Sequence, residues 1–141
     1  MQVLGIDRVL IATPSLDDSV ETFEERLGLS FGALIDPPGE PVANRMSSIG
    51  VEFVTGDRGS EVARFVDEHG PGLYALALEV ADLDAARDHL ASAGIEPVDE
   101  TGAGSLRELF YHPSSFEGTL LTLTEYDHRH PAEIATRGDD P

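Results

Sequence analysis

Two stretches of this chain share one plan. Ile6–Ser19, IDRVLIATPSLDDS, and Leu73–Ala86, LYALALEVADLDAA, each run strand, turn, Leu-Asp, helix. A single offset of 67 residues sets Arg8 on Ala75 and Leu16 on Leu83. Repetition at this scale constrains the fold more than any local propensity, because each copy carries one apolar sheet face that it cannot bury alone. Two paired halves of mixed strands and helices are therefore expected, a fold of the α+β class.

Within the first half, residues 5–13 read as a strand and 14–29 as a helix. Ser15 is its expected N-cap, Asp17 and Asp18 sit where the helix dipole favours acid, and Gly28 marks its end. Strands are expected over 30–35, 44–49 and 51–55 around the turn-rich DPPGEP, and SEVARFVDEHGPG reads as a connecting helix. The second half gives a strand over 73–80, a helix over 81–94, and strands in IEPV, LRELFYHP and GTLLTLTEY. The domain expectation is a first module over 1–70, a second over 71–127, and a polar, disordered tail over 128–141.

Charge narrows the function. The chain carries 27 Asp and Glu against 9 basic residues, all arginine, for a net charge of -18. Such a field repels phosphate backbones and anionic lipid, which argues against nucleic acid and membrane surfaces as partners. With no cysteine there are no disulfides, thiolate ligands or thiol nucleophiles. No apolar run approaches the roughly 20 residues of a membrane span. Met1-Gln2-Val3-Leu4 leads straight into strand-like sequence rather than a signal-type segment, so a cytoplasmic location is expected.

Strand alternation locates the polar positions. In the first strand Val9 and Ile11 share one face, and Arg8, Leu10 and Ala12 the other. In the last, Leu121 and Leu123 oppose Leu120, Thr122 and Thr124. Helices should cover the Val/Ile and Leu/Leu faces, leaving the mixed faces to line a ligand cavity.

The words IDRVLIATPSLDDSVETFEERLGLSFG, GPGLYALALEVADL, LFYHPSSFEG and GTLLTLTEY, in that order over about residues 5–126, resemble the vicinal oxygen chelate superfamily. That superfamily takes in glyoxalase I, bleomycin-resistance proteins and extradiol dioxygenases; the resemblance is nearest to its methylmalonyl-CoA epimerase-like members. It implies two βαβββ modules forming a curved mixed sheet around a central cavity, the glyoxalase/bleomycin-resistance fold, and a homodimer. It also implies a divalent metal held by four side chains, at positions that fall on Arg8, Glu52, Ala75 and Thr122. Only Glu52 is a competent ligand, and a guanidinium cannot deprotonate to become one. No metal ligands and no cofactor are therefore expected.

Two readings of Arg8 and Glu52 follow. Either they form a buried ion pair, or Arg8 takes over the metal's hold on a substrate oxygen while Glu52 acts as general base. Leu10, Ala75, Glu108, Thr122 and Thr124 complete the candidate substrate-binding set, with Glu108 facing either cavity or solvent. The functional expectation is a metal-independent isomerase, epimerase or lyase on a small, acyl-CoA-like substrate. The alternative is a non-catalytic small-molecule binding protein of the bleomycin-resistance type. Tyr74 reads as core, His112 as turn structure, His69 and His89 as surface residues, and His128 and His130 as part of a solvated tail.

Overall fold

The computed structural model describes residues 1–103 and 105–127. The expected tail over 128–141, with His128 and His130, lies outside the described residues. Two compact units are present. The N-terminal unit holds Val9–Tyr74; among the described residues, the C-terminal unit holds Met1–Arg8 and 75–127. Strand β1 (Val3–Ala12) passes through both, leaving one unit and entering the other between Arg8 and Val9.

In the N-terminal unit, α1 (Leu16–Leu27) begins at Ser15, whose side chain accepts the Asp18 N–H. It ends at Gly28, whose φ of 71° is a left-handed geometry open to glycine at no steric cost. Strand β2 (Val42–Met46) pairs antiparallel with β3 (Val51–Gly56), and β3 runs parallel to β1 with Leu10 opposite Glu52 and Ile11 opposite Phe53. Leu16 and Val20 of α1 pack on Phe31 and Phe53, with Ile11 and Phe23 beside them. This is the helix-covered face that alternation assigned to Ile11. Helix α2 (Glu61–His69) starts at Ser60, which accepts from the Ala63 N–H.

The C-terminal unit follows the same plan. Strand β4 (Gly72–Val80) leads to α3 (Leu83–Ser92), capped by Asp82, then to β5 (Asp99–Ala103), β6 (Leu106–Tyr111) and β7 (Leu120–Glu125). The β4–β7 pair is parallel; β5–β6 and β6–β7 are antiparallel. Leu83 and Ala86 bury against Val80, Leu109, Tyr111, Leu121 and Leu123. Among the described residues the strand order is β2-β3-β1-β4-β7-β6-β5, a mixed seven-stranded sheet with three α-helices.

Three strand expectations need correction. The strand expected over 44–49 falls earlier, as β2 at Val42–Met46, because residues 48–49 form the turn into β3. Residues 30–35 make only isolated bridges, Phe31 to Ser47 and Ile35 to Asn44, where DPPGEP and its neighbours deny the ladder a continuous run. The strand expected in IEPV starts later, at Asp99; of IEPV itself, only the Val98 N–H is seen to reach across, to the Phe110 carbonyl.

Candidate functional site

Arg8 is 3% exposed although it belongs to a strand of a small acidic protein. Burying an unpaired guanidinium would cost several kcal/mol, so its partners decide whether the position is tenable. One terminal nitrogen donates to Asp7 Oδ2 at 2.6 Å and the other to Glu108 Oε2 at 2.5 Å. Asp7 is itself buried, its side chain 1% exposed, and its Oδ1 accepts from the Tyr126 hydroxyl at 2.6 Å. Burial, first, and then the bond to Asp7 push the Tyr126 phenol far above the ordinary tyrosine range, so Tyr126 stays a donor. The chain Tyr126–Asp7–Arg8–Glu108 is thus built within the C-terminal unit.

The surrounding sheet face is set by register. Glu108 lies opposite Thr124 and Phe110 opposite Thr122 across β6–β7; Ala77 lies opposite Thr122 across β4–β7. Thr122 and Thr124 are wholly buried, and neither hydroxyl has a hydrogen-bond partner among the described residues. Ala75, two residues before Ala77, is also buried. Leu121 and Leu123 take the opposite face under α3, as alternation required.

Glu52 lies in the N-terminal unit. It is 4% exposed, sits opposite both Leu10 and Met46, and accepts from the Asn44 amide at 2.9 Å. Leu10 is buried on the same strand as Arg8, two residues on. A groove of about 470 Å3, lined by Thr13, Thr55, Arg58, Ala63 and Asp67 among others, opens beyond the ends of β1 and β3 and takes in none of the candidate residues.

Asp7 and Tyr126 escaped sequence reasoning. Alternation sends Asp7 to the face opposite Arg8, and Tyr126 lies 119 residues from Asp7, just beyond β7. For Asp7 the sequence signal was adjacency to an arginine that needed a counter-charge. Glu108, left open between cavity and solvent, is buried on Arg8. Tyr74 stacks edge-on against Phe65, and His112 caps the turn Pro113–Ser115 by accepting the Ser114 N–H. His69 and His89 are exposed.

Three of the four positions that the resemblance gives to a metal lie in the C-terminal unit. They hold a guanidinium, a methyl and a hydroxyl: Arg8, Ala75 and Thr122. Among the described residues no group of three or more His, Cys, Asp or Glu side chains converges. Arg8 keeps its charge at any physiological pH and repels a cation beside it. This donor set does not fit a divalent ion.

Fold and matched residues together define the class: the chain belongs to the glyoxalase/bleomycin resistance protein/dioxygenase superfamily, whose family model matches residues 7–110. Among its relatives is an ethylmalonyl-CoA/methylmalonyl-CoA epimerase of Cereibacter sphaeroides, 30% identical over 129 residues, spanning 85% of this chain and 96% of the relative. A mitochondrial methylmalonyl-CoA epimerase of Dictyostelium discoideum is 28% identical, over 85% of this chain and 77% of its own. The crystal structure of methylmalonyl-CoA epimerase from Mycobacterium tuberculosis superposes with a TM-score of 0.80 at 28% identity, covering 89% of this chain and 90% of that one. No helix among the described residues is long and apolar enough to cross a membrane.

Proposed function

We propose that this protein is an epimerase-type isomerase acting on a carboxylated acyl-CoA ester without a divalent metal. Similarity to ethylmalonyl-CoA/methylmalonyl-CoA epimerases supports the reaction type and the ester. The observation that carries the rest is the buried Arg8, held by Asp7 and Glu108 where the family resemblance places a metal ligand.

Epimerisation at the carbon alpha to a thioester needs a base to take the proton and a positive group to hold the enolate oxygen that forms. It also needs an acid to return a proton from the opposite face. Arg8 is the fixed cation of this reading. Its guanidinium can offer charge-assisted N–H groups to more than one substrate oxygen while Asp7 keeps it aimed, which a lysine cannot reproduce. Glu52, oriented by Asn44, is the proposed base. Leu10, Ala75, Thr122 and Thr124 are the proposed substrate neighbours. A cytoplasmic location belongs to the same reading.

The test is isotope wash-in. Protein treated with a strong chelator and given methylmalonyl-CoA in D2O should load deuterium at the alpha carbon and interconvert the epimers. Arg8→Lys should slow this at least tenfold, on the order of one charge-assisted hydrogen bond. Wash-in that disappears with chelation and returns on adding Co or Mn would sink the metal-free reading. Binding without wash-in would favour the second reading, a sequestering protein, for which the net charge of -18 is the supporting observation.

A further inference from the structure

Two carboxylates seen on Arg8, those of Asp7 and Glu108, are not held equally. Asp7 is fixed at both oxygens: Oδ2 takes Arg8 and Oδ1 takes Tyr126. Glu108 has one hydrogen-bond partner among the described residues, Arg8, through Oε2. Its side chain is 10% exposed against 2% for that of Arg8, so Glu108 is the member of the pair nearer to solvent. Opposite it in the ladder is Thr124, and Thr122 follows on the same face; both hydroxyls are buried donors with no acceptor among the described residues. A buried hydroxyl left without a partner forgoes about 1–3 kcal/mol.

Together these describe an anion site with a singly tethered occupant. A guanidinium nitrogen and two hydroxyls without partners among the described residues lie on one sheet face, and Glu108, on a strand there, has no second anchor among the described residues. We propose that Glu108 is an internal stand-in for a ligand carboxylate: a substrate's carboxylate displaces it from Arg8 and takes up the Thr122 and Thr124 hydroxyls. The exchange conserves charge, since one carboxylate leaves the guanidinium for water as another arrives. Asp7, locked by Tyr126, stays in place and keeps Arg8 aimed. The ligand class is an organic carboxylate. That it is carried on a CoA ester rests on the epimerase reading above; the displacement does not.

The consequence is specific. Removing the competitor should tighten binding only of ligands that bear a carboxylate. Calorimetric titration of the wild-type protein and of Glu108→Gln with methylmalonyl-CoA should show roughly tenfold tighter binding to the variant, the size of one competing charge-assisted bond. Propionyl-CoA, the same ester without the carboxylate, should bind both proteins equally within about twofold. Thr124→Val should then reduce the gain.

A second measurement uses unaltered protein, so a variant that fails to fold does not decide the matter. With 13C-labelled glutamate, the Glu108 carboxyl resonance should shift on adding methylmalonyl-CoA or malonate and stay fixed with propionyl-CoA. A resonance that moves with malonate alone, where neither CoA ester binds, leaves the displacement standing and removes the ester reading. A Glu108→Gln variant that binds methylmalonyl-CoA no tighter, or binds both esters tighter alike, would overturn the proposal. A Glu108 resonance unmoved by any carboxylate would do the same.

Discussion

Arg8 shows how a single side chain can be both costly and retained. Taking one partner from a buried ion pair typically costs about 3–5 kcal/mol, because the remaining charge is stranded, while the intact pair adds little net stability. The arrangement Tyr126–Asp7–Arg8–Glu108 therefore explains tolerance of the charge better than it explains stability. Tyr126 makes the chain measurable. Its phenol, like those of Tyr74 and Tyr111, is raised above the ordinary value of 10.0, with burial the leading cause in each. The folded state thus holds these protons more tightly than the unfolded one. Stability is intact below about pH 10 and falls as pH rises past it. Absorbance at 295 nm should show less phenolate at pH 10 in folded than in unfolded protein, and phenolate should rise together with loss of helical dichroism. A tyrosine titrating reversibly near pH 10 with dichroism unchanged would contradict the burial of these groups.

At the level of the element, β7 carries two different jobs on its two faces. Leu121 and Leu123 bury under α3, while Thr122 and Thr124 are buried without hydrogen-bond partners among the described residues. Leu123→Ala should destabilise by about 2–5 kcal/mol, as a cavity in a packed core does. Thr124→Val, nearly the same shape, should leave the melting temperature unchanged or raise it, since it removes an unsatisfied buried hydroxyl. Equal losses in the two variants would contradict this division of faces. The division itself was legible from sequence, because period-two alternation needs no knowledge of neighbouring strands. The cap at Ser15 and the stop at Gly28 were legible for the same reason: both act within a few residues. The segment over 30–35 was not. Whether a short extended run joins a ladder depends on a partner strand whose register local propensity does not encode.

For the whole molecule, the exposed apolar residues of β1 bear on the homodimer proposed from the family resemblance. Val3 is 47% exposed, Leu4 52% and Ile6 72%, an apolar stretch of the kind a second copy would cover. Sedimentation should report twice the 15.1 kDa chain mass, and Ile6→Asp should shift it toward one. A wild-type protein that sediments as a single chain at 100 µM would reject the dimer. The amino-acid sequence by itself determined the repeat, the alternation of faces, the helix caps and the superfamily. It also determined that a guanidinium, a methyl and a hydroxyl stand at three positions where the resemblance implies metal ligands, because those chemistries belong to the residues alone. Only the tertiary structure decided which carboxylates answer Arg8. Asp7 adjoins Arg8 but is itself held by Tyr126, 119 residues away, and Glu108 lies 100 residues from Arg8 on β6. Contacts of that kind come from how distant strands are brought together, a property of the assembled sheet that no local spacing in the chain records.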